Sequence, residues 1–195
     1  MDVEDLRRRL DVMLAARPRR VVDGGDLVSA AVLLPITDHG RAHLLFTKKT
    51  DAVPHHKGQF SFPGGIVAER DASLVETALR EAWEEIRLPE HAVEVLGLLD
   101  DTETRATSFV ITPVVGIVRE PVAFEPDGRE IERVIEVPLS TLCDPRIFRE
   151  ETWERDGQPH SVYFYRISDE DVVWGATARI LKQFLDLLEP AAMGS

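Results

Sequence analysis

Few architectures accommodate the stretch from Ser73 to Leu88. At 3.6 residues per turn, Val75, Leu79, Ala82 and Ile86 fall on one side of a helix. Arg80, Glu81, Glu84 and Glu85 share the other side, within an arc of about 140°. Ser73, with Glu76 three residues on, has the spacing of a capping box and marks the start. Such a helix must bury its apolar side while its acidic side faces a cleft or solvent, so it needs a sheet beneath it. The flanking segments supply strands. Val28–Ile36 is an apolar run suited to a central strand, and Asp38-His39-Gly40 turns it into a second strand over Ala42–Thr47. Val93–Leu99, Phe109–Val118 and Val134–Pro138 read as further strands. Pro113 points to an edge or a bulge within its strand. Thr152–Arg155 and Ser161–Ile167 form a hairpin through Asp156-Gly157.

Two more helices close the pattern. Val3, Leu6, Leu10, Met13 and Leu14 predict a helix over residues 3–16, with Arg7, Arg8 and Arg9 largely in solvent. Trp174, Ala178, Leu181, Leu185 and Leu188 predict another over Val173–Leu188. The order helix, strands, helix, strands, helix gives an α/β fold of the α+β type, a mixed sheet with helices on its faces. The chain is expected to be a single domain, 1–195, with an N-terminal helix and connector over 1–25 and a core over 26–188.

The net charge of −12 argues against coating nucleic acid, which requires a basic surface. One cysteine, Cys143, allows no internal disulfide and fits a cytoplasmic location; its thiol is expected to be buried. No apolar run reaches the length of a membrane span, and the acidic N-terminus lacks a signal-peptide pattern. No membrane partner is expected.

An acidic chain that handles phosphates needs imported cations or a local basic patch. Lys48, Lys49, His55, His56 and Lys57 form such a cluster, although loop charge in solvent explains it equally well on spacing alone. After it comes Phe62-Pro63-Gly64-Gly65, a turn whose backbone can approach a ligand closely. The carboxylates that follow repel one another slightly. Mg²⁺ or Mn²⁺ would offset that repulsion, because hard cations prefer carboxylate oxygen and accept bridging phosphates. A plain solvated acidic face is the alternative for Glu81, Glu84 and Glu85 taken alone. The added spacing of Gly65, Asp71 and Arg80 favours a working site, in which Arg80 holds Glu81 or Glu84 or contacts substrate. Glu103, Glu132 and Glu136 are weaker candidates for an extra base or ligand, and Trp83 is expected to be a packing residue.

The stretch resembles the Nudix box of the Nudix hydrolases. Gly65, Arg80-Glu81-Ala82, Glu84-Glu85 and Leu88 match. Asp71 stands for the usual Glu, with eight residues rather than seven before Arg80, and Arg87 stands for the terminal Gly. The long spacing is similar to that of the coenzyme A pyrophosphatase branch. That branch's upstream motif finds Leu45, Thr47, Gly58 and Phe62-Pro63-Gly64-Gly65 in register. Phe46, Lys49, Thr50 and Pro54 replace a Leu, an Arg, a Ser and a second Arg. Trp174-Gly175-Ala176-Thr177-Ala178 and Val137-Pro138-Leu139 also resemble it.

The resemblance implies an α/β/α sandwich and a metal-dependent pyrophosphohydrolase. It implies cleavage of coenzyme A or its derivatives to 3′-phosphoadenosine 5′-phosphate and 4′-phosphopantetheine. Glu84 is then the group activating water and Arg80 its catalytic companion. Glu81 and Glu85, with Glu84 sharing, hold Mg²⁺ or Mn²⁺. Lys48, Lys49, His56, Gly64 and Gly65 contact the nucleotide-like substrate, and a homodimer is compatible with the pattern. Hydrolysis of ADP-ribose, NADH or a damaged nucleotide is the alternative, and a non-catalytic nucleotide sensor is a third.

Overall fold

The computed structural model describes residues 1–51, 57–104, 108–119, 121–155 and 157–188. It opens with α1 (Val3–Ala16), capped by the Asp2 carboxylate. The strands β1 (Val28–Asp38) and β2 (Ala42–Lys49) form the expected hairpin, each longer than the apolar run alone suggests. Short β3 (Phe60–Ser61) and β4 (Gly64–Ile66) lead into α2 (Leu74–Ile86). Then come β5 (Val93–Leu98), β6 (Thr102–Thr104), β7 (Phe109–Val118) and β8 (Ile131–Pro138), followed by the single-turn α3 (Leu139–Leu142). The hairpin β9 (Phe148–Arg155) and β10 (Gln158–Arg166), β11 (Val172–Trp174) and α4 (Gly175–Leu188) complete the chain. Gln158 pairs with Arg155 and Gly157 has φ 72°, as the two-residue turn requires.

Among the described residues, β1 to β8 form one mixed sheet whose path runs β3-β2-β1-β7-β5. Only β1 and β7 run parallel in it. Strand alternation splits the core into two layers. Ala31 and Leu33 of β1 face Ala78, Leu79, Ala82 and Ile86 of α2. Leu34 and Ile36 face the other way, toward Leu6 and Leu10 of α1 and Leu181, Phe184 and Leu185 of α4. Helices thus cover both faces, and β9 to β11 form a second, three-stranded sheet.

Four expectations need correction. Pro113 lies in the central strand β7, not at an edge. Its carbonyl accepts Leu99 N–H at 2.9 Å, so the side on which it lacks a donor faces the gap where β5 ends and β6 begins. The last helix starts at Gly175, because Trp174 ends β11 opposite Phe164. Cys143 is exposed, since it caps the short α3 instead of entering the core. Trp83 is 47% exposed, with the Arg87 guanidinium 5.5 Å from its ring centre.

The connector is also more ordered than its composition suggests. Arg17 and Arg19 pair with Asp100 and Asp101, and Asp101 also accepts Val22 N–H and the Thr112 hydroxyl. Burial works to raise both carboxyls, but the Arg20 N–H and Arg17 at Asp100, and Thr112, Arg19 and the Val22 N–H at Asp101, outweigh it and hold both below the usual carboxylate range.

Candidate active site

Two local features set the geometry. The first is the way β1 changes partner along its length. Residues 36–38 pair with β2, while Ala30, Ala31 and Val32 pair with Ile66, Gly65 and Gly64 of β4. A methyl group on Gly64 would lie 2.4 Å from the Ala31 carbonyl oxygen and 2.6 Å from Val32 Cα, so only glycine permits this approach. The second is α2. Ser73 Oγ accepts Glu76 N–H at 3.1 Å, and the Glu76 carboxylate turns back to Ala72 N–H. At the other end Arg87 adopts φ 58° and its N–H returns to the Trp83 carbonyl as in an αL C-cap motif, with Leu88 N–H bonding the Ala82 carbonyl. Arg87 thus does the conformational work of the glycine it replaces.

The acidic side of α2 divides into three environments. Glu84 is exposed, with 47% of its side chain in solvent, Glu81 is at 19% and Glu85 at 5%. Glu81 lies against β4: a methyl group on Gly65 would be 2.6–2.7 Å from its carboxyl atoms. Glu85 reaches the same dipeptide from one turn further on, accepting Gly64 N–H at 3.3 Å and the Lys49 ammonium at 3.0 Å. Burial pushes the Glu85 carboxyl up to about 7, against the pull of Lys49 and the Gly64 N–H. Lys49 is held protonated, because Glu85 and Glu130 outweigh its burial.

Arg80 is fully committed. Its Nε and Nη2 hold the two oxygens of Asp71 at 2.9 Å each, Nη2 also reaches the Ile66 carbonyl, and Nη1 donates to Glu81 at 2.7 Å and to Glu84 at 3.4 Å. Arg80, with Thr77 and Ala68 N–H, holds the Asp71 carboxyl far below the usual range. Asp71 fills this role across the longer spacing. Arg70 adds a 3.0 Å bond to Glu84.

The basic residues separate. Lys49 points to α2, whereas Lys48 lies in a row with Phe60 and Arg133 on neighbouring strands, both cations within 6.0 Å of the Phe60 ring. His56, with Pro54 and His55, lies outside the described residues. Glu136 is engaged by Thr37 and His39 at the far end of β1, and Glu132 is in solvent. A groove of about 390 Å³ lies at the end of α2, lined by Trp83, Arg87, His91 and Glu125, and none of the three carboxylates lines it.

Sequence reasoning missed Glu130, Arg70 and the loop after β7. Asp127 Oδ1 accepts the N–H groups of Arg129, Glu130 and Ile131, and Asp127 N–H bonds the Glu85 carbonyl. This brings Glu130 within 3.5 Å of Lys49 Nζ. The Asp127-Gly128 pair signals the turn but not its docking on α2.

Among the described residues, no three His, Cys, Asp or Glu side chains converge closely enough to ligate one ion. The donor chemistry still fits a hard divalent cation. Glu81 and Glu85 meet at one glycine dipeptide, all donors are carboxylate oxygens, and a cation there would stabilise the buried Glu85 charge.

A family model of the NUDIX domain matches residues 26–158. A Photorhabdus laumondii protein described as an uncharacterized Nudix hydrolase, NudL, is 34% identical over 183 residues, covering 94% of this chain and 96% of its own. A NudL of Pectobacterium atrosepticum is 38% identical over 154 residues, 79% of each chain. In fold, the chain is similar to DR0079 of Deinococcus radiodurans at TM-score 0.52 and 15% identity, covering 80% of this chain and 81% of that one. RenU, a Nudix hydrolase from M. smegmatis, aligns at TM-score 0.50 and 21% identity, over 60% and 74%.

Proposed function

The chain belongs to the Nudix family and is a hydrolase acting on pyrophosphate bonds; on that premise we propose that it cleaves the diphosphate of coenzyme A or its derivatives. The products would be 3′-phosphoadenosine 5′-phosphate and 4′-phosphopantetheine. For the reaction, the supporting observation is the meeting of Glu81 and Glu85 at Gly64-Gly65, with Glu84 open to solvent beside them.

Nudix hydrolases generally use divalent metal ions, and here Glu81 and Glu85, with Glu84 sharing, would hold Mg²⁺ or Mn²⁺. Bound there, the ion would polarise phosphoryl oxygens and lower the pKa of water. Glu84, the most accessible of the three, takes the proton of the attacking water. Arg80 touches Asp71, Glu81 and Glu84 and positions the acids rather than the substrate. Gly64 and Gly65 leave room for the diphosphate against the backbone.

The coenzyme A assignment draws on the spacing of the upstream motif and on one contact: β3, which lies within that motif, touches β11, which ends on the first residue of the Trp174-Gly175 motif. Lys48 stands there as a cation suited to a phosphate, next to Arg133, which is paired with Asp171. Lys49 favours the second reading, another nucleoside diphosphate derivative such as ADP-ribose or NADH, because its ammonium is spent on Glu85.

Incubation with Mg²⁺ or Mn²⁺ and coenzyme A, an acyl-coenzyme A, ADP-ribose, NADH and nucleoside triphosphates, with product identification, decides between them. Turnover confined to ADP-ribose would reject coenzyme A, and turnover of none would reject the enzyme. A homodimer belongs to the same proposal, since among the described residues β9 is an edge strand of the second sheet; a monomeric mass by sedimentation would exclude it. No described helix is long and apolar enough to cross a membrane. A cytoplasmic location is proposed from the single cysteine, and fractionation of cells checks it.

A further inference from the structure

Lys49 stands where the branch pattern has an arginine, and its surroundings give it a different task from binding substrate. Its side chain is 17% exposed, against a Glu85 side chain at 5%, and the two meet at 3.0 Å. A carboxylate buried to that extent is stable only beside a cation. Lys49 provides one at the same carboxylate that the proposed metal would need, and this inference rests on that reading of Glu85. Two cations against one buried carboxylate repel strongly, because the local dielectric is low. One must leave when the other arrives.

The structure holds a second acceptor within reach. Glu130 Oε2 is 3.5 Å from Lys49 Nζ, and the Glu130 side chain is 62% exposed. Its backbone is fixed at both ends. Glu130 N–H donates to Asp127 Oδ1 at 3.0 Å, and the Glu130 carbonyl accepts Thr50 N–H at 2.8 Å, next to Lys49 in sequence. The acceptor therefore stays beside the ammonium while its carboxylate remains in water.

We propose that Lys49 is a placeholder cation, which neutralises Glu85 while no metal is bound and passes to Glu130 when a divalent ion takes its place. Lysine suits the task. Its ammonium is a point charge on a flexible four-carbon stem and can change partners by a small rotation, whereas a planar guanidinium would lock onto one carboxylate in a bidentate pair. The buried acid is thus compensated before metal arrives, and metal affinity is reduced by the ion pair that must first break.

Mn²⁺ binding, followed by the electron paramagnetic resonance signal of the free ion, tests this in four proteins: wild type, Lys49→Met, Glu130→Gln and the double variant. Lys49→Met should bind Mn²⁺ about tenfold more tightly, and Glu130→Gln about fivefold more weakly, as coupling between neighbouring sites predicts. Glu130→Gln should lose its effect in the Lys49→Met background, where there is no ammonium to receive. The melting temperature of Lys49→Met should also rise more on adding Mn²⁺ than that of wild type. Unchanged affinity in Lys49→Met, or an equal loss from Glu130→Gln in both backgrounds, would overturn the proposal. Glu85→Gln is the control for the underlying reading: if it binds Mn²⁺ as well as wild type, Glu85 is not a ligand, whatever Lys49 does.

Discussion

Alanine at Gly65 and alanine at Gly64 should fail in opposite ways. A Cβ on Gly65 would sit 2.6 Å from Glu81 Cδ and 2.7 Å from both carboxylate oxygens, whereas ordinary contacts begin near 3.4 Å. The Glu81 carboxyl must therefore retreat by about 0.8 Å, the difference between 3.4 and 2.6 Å. That exceeds the tolerance of about 0.2 Å on metal–ligand distances. A displacement approaching 1 Å at a reacting centre costs about 100-fold in rate. The obstacle is the end of a flexible side chain, so Gly65→Ala should change stability by no more than about 0.5 kcal/mol. A Cβ on Gly64 meets backbone instead, at 2.4 Å from the Ala31 oxygen, and β1 and β4 must part. That should cost about 3 kcal/mol, the upper end for overpacking. For a chain of this length the melting temperature then falls by about 6–12 °C. Thermal melts with parallel Mg²⁺-dependent hydrolysis assays measure both. A folded Gly65→Ala enzyme with near wild-type kcat/KM would refute the placement of Glu81 in the site.

Three further outcomes follow from the same contacts. Asp71→Asn should reduce activity by about 10–100-fold with little change in substrate KM, the usual cost of losing a group that orients ligands, because Arg80 loses its anchor; steady-state kinetics checks this. Asp101→Asn should destabilise the fold by about 2 kcal/mol at neutral pH, since a buried carboxylate bonded to Arg19, Thr112 and Val22 is lost. The Asp101 pKa is depressed on folding, so its contribution is present above the ordinary value of 3.8 and disappears as the pH falls through the folded value; urea melts from pH 7 to pH 3 should show the variant converging on wild type at the acid end. Arg87→Gly should stabilise by about 1 kcal/mol, the cost of a non-glycine residue at φ 58°, and a melting temperature below wild type would show that the Arg87–Trp83 contact outweighs the strain.

The sequence made α2 legible almost to the residue, because Ser73 gives an unambiguous cap and the apolar spacing admits one period. It also marked Gly65, Glu81, Glu84 and Glu85 as one group. What it left hidden was the depth of each carboxylate. An arc of about 140° on a helix treats Glu84 and Glu85 alike, yet one is in solvent and the other is buried under Lys49. That difference comes from β4 and the loop at Asp127, whose docking is a tertiary event with no local periodicity. Pro113 misled for a related reason. A missing N–H excludes a fully paired position, and the gap between β5 and β6 makes a partly paired position inside the sheet. The ion pairs that anchor the connector had no local signal, because the partners of Arg17 and Arg19, Asp100 and Asp101, lie about eighty residues away in sequence.

The central claim is that Glu84 and Glu85 serve hydrolysis of a diphosphate at the Gly64-Gly65 turn. Its most direct test is release of 3′-phosphoadenosine 5′-phosphate from coenzyme A with saturating Mg²⁺, measured side by side for wild type, Glu84→Gln and Glu85→Gln, each shown to be folded by circular dichroism. Wild type should release that product together with 4′-phosphopantetheine, and each variant should lose at least about 100-fold in kcat. Near wild-type turnover in either folded variant would contradict the account.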